Sequence, residues 1–148
     1  MQRLSTRGVP ANQRLALVNE FVARNWASMY FDPLQPGPDL QVDISVFELA
    51  DGVALARAHY PAIVARRSPD MLRDGRDNYT LGIVSEDHDV SVEGGPPFTV
   101  RAGDLMLLSE ATWFEVRHAR ASVDVISLAS RQIAQRLPRR SLAPCYRS

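Results

Sequence analysis

The sequence contains no lysine, a single cysteine and no net charge, because seventeen arginines balance seventeen acidic residues. Cys145 alone cannot form an internal disulfide or a cysteine-rich zinc site, which favours a reducing compartment. A neutral chain offers no global field for nucleic acid or for an anionic membrane surface, so a long nucleic-acid groove is disfavoured. No apolar run approaches the roughly 18 residues of a membrane span, and the polar first residues lack a secretory core. These absences predict a cytoplasmic protein that does not bind membranes.

The length and composition are those of one globular domain. A chain of 148 residues with 45% apolar and 23% charged residues can bury a sizeable core, but two folded domains are not expected. Glycine, proline and arginine positions predict a flexible N-terminus over 1–11 and a folded domain over 12–137. Residues 138–148 are predicted to be a basic tail or the start of an interdomain linker.

Two segments have helical spacing of their apolar residues. Val18, Val22 and Trp26 recur at four-residue steps, which predicts an amphipathic helix from about Asn12 to Trp26. A proline-rich loop follows. A short C-terminal helix is predicted over Ser130–Leu137, where Ile133 and Leu137 are four residues apart and could form a dimer contact.

Most of the remaining chain is predicted to be β-structure. Leu40–Leu49 begins with strict alternation of apolar and polar residues, which is typical of a half-buried strand. Short strands with Gly and Pro between them indicate a sandwich or barrel, and the other predicted strands lie in Val53–Val64, Tyr79–Val84, Val90–Val92 and Val123–Leu128.

The most informative stretch is Val100–Val116, which predicts strand, tight turn, strand, turn and strand. Gly103 supplies the backbone freedom for the first corner, and Asp104 can bond the local backbone there. The apolar run Leu105–Leu108 between two turns is typical of a buried strand.

The three histidines do not form an obvious metal site in the sequence. His88 lies between Asp87 and Asp89 and is interpreted as part of a charged hairpin tip, because adjacent strand residues point in different directions. His118 shares strand parity with Phe114, so we expect it to point inward, either as a hydrogen-bonded core group or as a ligand contact. No phosphate-binding loop or nucleophile elbow is present, so the sequence predicts neither an enzyme nor a cofactor.

A β-barrel interior with apolar walls and a few polar groups is a common location for a small-molecule pocket. The same side chains would also fill a plain core. Trp26 could close such a pocket, Arg66 or Arg67 and His118 could make its polar contacts, and its apolar walls could include Tyr79, Met106, Trp113 and Phe114.

The segment Arg101-Ala-Gly-Asp104 resembles the turn of the cupin superfamily, in which a metal-binding histidine follows on the next strand. Phe114 occupies the position where that histidine is expected, and no His-x-His with a following Glu lies upstream. The resemblance therefore implies the barrel without its metal.

Over nearly its whole length, the chain resembles the N-terminal cupin-like domain of AraC/XylS-type bacterial transcription regulators. The evidence is the order of several loose motifs: the Trp-containing helix, Gly52-Val-Ala-Leu-Ala-Arg-Ala, Ala65-Arg66-Arg67, Asp77-Asn-Tyr-Thr-Leu, Arg101-Ala-Gly-Asp-Leu-Met-Leu-Leu and Ile126-Ser-Leu. The resemblance implies a mainly β, cupin-like double-stranded β-helix, or jelly-roll barrel, with an N-terminal amphipathic helix and a short C-terminal helix.

The implied function is effector sensing, dimerisation or both. Residues after Leu137 are too few for the family's helix-turn-helix region, so we expect a small-molecule effector, a homodimer, and DNA contact only through a C-terminal domain absent from this chain. The alternatives are a stand-alone cupin-like small-molecule-binding protein and a metal-dependent cupin enzyme.

Overall fold

The computed structural model describes residues 1–26, 29–34, 40–49, 53–118, 121–128 and 145–147, the last two ranges by their backbone course. These residues form one α-helix, one 3₁₀ helix and twelve strands. Their bounds are β1 Gln2–Ser5, α1 Ala11–Asn25, β2 Tyr30–Pro33, β3 Asp43–Glu48, β4 Ala54–Tyr60, β5 Ile63–Arg67, the 3₁₀ helix Pro69–Asp74, β6 Tyr79–Val84, β7 His88–Val92, β8 Phe98–Val100, β9 Leu105–Ser109, β10 Phe114–His118, β11 Ala121–Leu128 and β12 Cys145–Arg147.

The strands form two antiparallel sheets. The larger sheet has the order β1-β3-β4-β11-β6-β9-β12, and the smaller has the order β2-β5-β10-β7-β8. The chain passes repeatedly from one sheet to the other, and the inward residues of both sheets belong to one apolar core, as Ile44 and Ala58 of the larger and Ile63 and Val116 of the smaller show. The predicted mainly β barrel is confirmed.

Helix α1 packs its apolar stripe against this core. Val18 and Val22 are fully buried, and the predicted helix is confirmed, with the bounds Ala11–Asn25. Asn19 fixes the helix to β2 because its side-chain amide donates to the Phe31 carbonyl (3.1 Å) and accepts from the Phe31 amide (2.7 Å).

The region from Phe98 to His118 has the predicted succession of strands and turns. Gly103 adopts a φ of 88°, in the left-handed region that side chains disfavour. The Asp104 amide donates to the Arg101 carbonyl (3.0 Å), and the Asp104 carboxylate accepts from the Arg101 amide (3.2 Å). The interpretation of Gly103 and Asp104 as a corner is therefore confirmed.

The structure differs from the sequence prediction at both ends of the chain. Residues 1–11 were expected to be flexible, but Gln2–Ser5 pairs with β3, and Thr6 is fully buried with its hydroxyl donating to the Leu40 carbonyl (2.9 Å). Within the predicted basic tail, Cys145–Arg147 pairs with β9 as a strand. The predicted C-terminal helix, with Ile133 and Leu137, lies outside the described residues.

Candidate functional site

Four of the predicted pocket residues lie in the core. Trp26, Met106, Phe114 and His118 are each no more than 8% exposed. They lie on α1's C-terminal boundary, β9 and β10, so the predicted strand parity of Phe114 and His118 is correct.

The other three predicted pocket residues lie elsewhere. On β5, Ile63, Ala65 and Arg67 are buried, whereas Arg66 lies on the outer face and pairs with Glu115 at 3.0 Å. Of the two arginines that the sequence offered as polar contacts, Arg67 is therefore the inward one and Arg66 lies outside the barrel interior.

The side chain of Tyr79 also faces away from the barrel interior. Thr80 and Val84 are the inward residues of β6, so Tyr79 lies on the outer face and is half-buried. Trp113 precedes β10 in the turn from β9 and is half-buried as well. Tyr79 therefore does not line the barrel interior, in contrast to the sequence prediction.

A row of rings extends from α1 through the core. Trp26 contacts Phe31 edge to face, with ring centroids 6.2 Å apart, and Phe31 contacts Tyr60 at 5.5 Å. Tyr60 contacts His118 at 5.1 Å, and His118 contacts His88 at 4.0 Å. The row therefore connects the C-terminal end of α1 to the two buried histidines.

The two histidines and Tyr60 form a polar cluster inside the apolar core, here called the histidine cluster (Tyr60, His88, His118). The His118 Nδ1 is 2.9 Å from the His88 Nε2 and 3.5 Å from the Tyr60 hydroxyl. The interpretation of His88 as part of a charged hairpin tip is wrong, because His88 begins β7, is fully buried and is in register with His118. Its alternation with Val90 and Val92 was the signal in the sequence that could have placed it inward.

Burial dominates the electrostatics of the histidine cluster. It lowers the pKa of His118 to about 3, with a further lowering from His88, and it raises the pKa of the Tyr60 phenol. Burial also lowers the pKa of His88, although the Asp87 backbone and the carboxylates of Glu86, Asp87 and Asp89 act in the opposite direction. Both imidazoles are consequently neutral near pH 7.

A second polar cluster lies at the other end of β10 and is called here the arginine cluster (Arg67, Asp74, Glu110). The buried Arg67 guanidinium donates to both carboxylate oxygens of Asp74, at 2.7 and 3.1 Å, and its Nε donates to the Glu110 carbonyl at 2.6 Å. A bidentate pair of this kind neutralises the buried positive charge. Sequence reasoning identified neither Asp74 nor Glu110, because their partners are distant in the chain.

Glu110 is the exceptional group of the arginine cluster. It is 1% exposed, and both of its carboxylate oxygens lack a hydrogen-bond partner among the described residues. Burial raises its pKa, as does Asp74, whereas Arg76, Arg67 and the nearby Thr80 hydroxyl lower it. The buried Thr80 hydroxyl lies close enough to this carboxyl to lower its pKa, but neither group has a well-formed hydrogen bond among the described residues.

The arginine cluster also contacts α1. The Asp74 carboxylate accepts from the Arg76 amide at 2.9 Å, and the Arg76 guanidinium donates to the Ala23 carbonyl near the end of α1 at 3.4 Å. Helix α1 is thus connected to both polar clusters of the barrel.

The residues at the usual cupin metal position do not fit a metal ion. Phe114 stands where the histidine is expected, is 1% exposed, and provides only hydrocarbon. In the part of the chain that the structure describes, no group of three or more His, Cys, Asp or Glu side chains is placed to hold a metal. We therefore derive no chemistry from a metal at that position.

An open cleft of about 300 Å³ lies on the outer face of the smaller sheet. Its polar groups bond to one another, since Thr99 donates to Asp89 at 2.8 Å and Arg117 donates to Glu115 at 2.9 Å. Glu110 and Thr80, which are buried without hydrogen-bond partners among the described residues, do not line this cleft.

The two-sheet barrel with its Gly103-Asp104 corner is a cupin-like fold. Its architecture matches the AraC-like transcriptional activator CuxR with a TM-score of 0.77 and 13% sequence identity, over 90% of this chain and 49% of that one. The chain thus spans about half the length of CuxR. The predicted cupin-like fold, of the kind that occurs in an AraC-type regulator, is confirmed.

Two other solved structures share part of the architecture. The cupin domain of Schizosaccharomyces pombe Cnp3 matches 64% of this chain with 69% of its own at 11% identity and a TM-score of 0.47. The Clostridium difficile EutQ protein matches 66% of this chain with 75% of its own at 9% identity and a TM-score of 0.45.

At the level of sequence, no protein-family model and no curated protein matches this chain. Within the described ranges, no helix has the length and apolar character needed to cross a membrane.

Proposed function

We propose that this chain is the effector-sensing domain of an AraC-type transcription regulator. The observation that carries the proposal is the likeness to the AraC-like activator CuxR, which extends over 90% of this chain and is confined to 49% of CuxR. A domain of this size would act on transcription through a DNA-binding domain outside this chain, in the cytoplasm as the sequence predicts.

The barrel interior supports binding of a small effector rather than catalysis. Glu110 and Thr80 are buried polar groups without hydrogen-bond partners in the described structure, and such groups are costly unless something pairs with them. An effector that donates hydrogen bonds to them would remove this cost. The proposed role is non-enzymatic, because binding requires no reaction at either group.

The contacts of α1 form a route by which effector binding would be transmitted to the rest of the regulator. Trp26 packs on Phe31 at one end of the route, and Arg76 binds the Ala23 carbonyl at the other. An effector that favours one position of α1 over another would shift the population between two states of the domain. The shift would be transmitted to a homodimer contact or to an attached DNA-binding domain.

A thermal-shift screen of sugars, aromatic acids and fatty acids tests the effector proposal. A ligand at about 100 times its Kd stabilises the native state by about 2.7 kcal/mol, which corresponds to a rise in Tm of about 5–10 °C for a domain of this size. Glu110→Gln should reduce this rise for the active compound. The exposed Glu93→Gln is the matched control and should leave it unchanged.

Two results would contradict the proposal. One is the absence of any stabilising compound in the screen. The other is a compound that stabilises the wild type, Glu110→Gln and Glu93→Gln equally, because such a compound would bind outside the barrel interior.

A further inference from the structure

We infer that Tyr60, His88 and His118 form a binding site for one divalent ion of the late first-row transition metals, the class of zinc, nickel and copper(II). The site is distinct from the usual cupin metal position. Phe114 and His118 are four residues apart on β10, which corresponds to about 13 Å along a strand.

The donor atoms of the histidine cluster have the spacing of metal ligands. Two nitrogens that bind a metal at about 2.05 Å, with an angle between about 90° and 109° at the metal, are roughly 2.9–3.3 Å apart. The His88 Nε2 and His118 Nδ1 are 2.9 Å apart, and the Tyr60 oxygen is 3.5 Å from the same His118 nitrogen. An ion can replace the hydrogen bonds of this cluster with only small movements of the side chains.

The donors of the histidine cluster also have the chemistry that these metals prefer. Imidazole nitrogen suits zinc, copper, nickel and iron, whereas magnesium and calcium prefer carboxylate, carbonyl and water oxygens. All three side chains are at most 5% exposed and converge from three strands, β4, β7 and β10. The surrounding strands therefore hold the donors in place before any ion arrives.

One ring nitrogen of the cluster lacks a well-formed hydrogen bond. The His118 Nδ1 is approached by two groups, the His88 Nε2 and the Tyr60 hydroxyl, while the His88 Nδ1 is buried and is influenced only by the Asp87 backbone within the described structure. If the His118 nitrogen accepts from His88, the remaining lone pair of the His88 imidazole is buried without a donor. Such a group is uncommon in a protein core.

The charge balance of binding is straightforward. A divalent ion coordinates two neutral imidazoles and the Tyr60 oxygen, and the phenol proton passes to solvent, which leaves a site charge of +1. No electron is transferred. The carboxylates of Glu86, Asp87 and Asp89 act electrostatically on His88, and this negative potential at the β6–β7 turn favours an approaching cation.

Metal titration of chelator-treated protein by calorimetry at neutral pH tests the inference. The wild type should bind one zinc ion per chain with release of a proton, and the affinity should be highest for copper(II). His88→Gln and His118→Gln should each weaken zinc binding roughly 100-fold or more. The exposed His59→Gln is the matched control, because it removes the third histidine of the chain and should leave the affinity unchanged.

Tyr60→Phe provides a second readout that does not depend on the histidine variants being folded. Copper(II) added to the wild type should produce a visible phenolate-to-copper charge-transfer band, and the band should be absent in Tyr60→Phe. The inference is overturned if the wild type binds no stoichiometric metal, if His59→Gln weakens binding as much as His88→Gln does, or if Tyr60→Phe retains the band. These results leave the effector proposal unaffected, since Glu110 lies at the other end of β10.

Discussion

Arg67 and Glu110 show how burial changes the meaning of a charged side chain. The Arg67 guanidinium has no exposed surface, yet its charge is neutralised by Asp74 at 2.7 Å. The Glu110 carboxyl is similarly buried, but among the residues described here it has no hydrogen-bond partner. A buried charge that is paired can persist, whereas a buried carboxyl without a partner favours its neutral form.

This contrast predicts the pH dependence of stability at Glu110. Its pKa is raised above the ordinary value of 4.5 by burial and by Asp74, against the lowering effects of Arg76, Arg67 and Thr80. Above pH 4.5 the native state therefore holds more protons at this group than the unfolded state, and its stabilising contribution is lost as pH rises through the raised pKa. Each pKa unit of difference corresponds to about 1.4 kcal/mol.

Glu110→Gln keeps the group neutral, so relative to wild type the variant should gain stability as pH rises from 4 to 8. Urea unfolding at several pH values measures this difference. Glu93→Gln, whose side chain is exposed, is the control and should follow the wild-type curve. Parallel curves for wild type and Glu110→Gln would show that the pKa of this carboxyl is the same in the folded and unfolded states, which contradicts the raised pKa.

At the scale of elements, α1 is held to the barrel by both apolar and polar contacts. Val18 and Val22 are fully buried, and Asn19 bonds both backbone groups of Phe31. At the edge of β2, the Asn19 side chain thus makes the two hydrogen bonds to Phe31 that a residue of a neighbouring strand would make. Since Phe31 contacts Trp26 and Tyr60, the position of α1 and that of the interior rings are linked.

Asn19→Ala should therefore destabilise the domain more than an ordinary surface change does. The substitution leaves the partly buried amide and carbonyl of Phe31 without their partner, and we expect a loss of about 2–3 kcal/mol in the free energy of unfolding. Asn12→Ala is the control because Asn12 is exposed on the same helix, and it should change stability by less than about 0.5 kcal/mol. Urea unfolding compares the two, and equal effects would contradict the role assigned to Asn19.

At the scale of the molecule, the barrel has two polar ends joined by an apolar middle. The histidine cluster lies near the start of β5, and the arginine cluster lies at its end, as the pairing of His118 with Ile63 and of Phe114 with Arg67 shows. The C-terminal part of α1 is connected to the histidine cluster through Trp26 and Phe31, and to the arginine cluster through the Ala23 carbonyl and Arg76. In the proposed mechanism, a ligand at either end would therefore bias the position of the same helix.

The homodimer remains a prediction of the sequence. If the segment with Ile133 and Leu137 forms the contact, the double substitution Ile133→Glu and Leu137→Glu should convert the dimer to a monomer, because charged groups in an apolar contact are strongly disfavoured. Sedimentation analysis measures the mass of both proteins. An unchanged dimer would place the contact on another surface.

Periodicity in the sequence was enough to locate α1, most strands and the Gly103-Asp104 corner, because each depends on interactions within a few residues. The inward positions of Phe114 and His118 were likewise accessible from strand parity. The strand Gln2–Ser5 could not be predicted from periodicity, because it exists only through its pairing with β3.

Local spacing of apolar and turn residues was sufficient to predict a mainly β sandwich or barrel, and the order of the motifs carried the resemblance to a cupin-like fold. Three features became visible only in the folded molecule: Arg67 rather than Arg66 faces the barrel, His88 meets His118, and Glu110 is buried without a hydrogen-bond partner among the described residues. The physical reason is that these three outcomes depend on register between strands far apart in the chain. Pairing of β7 with β10 places two histidines 30 residues apart within hydrogen-bond distance.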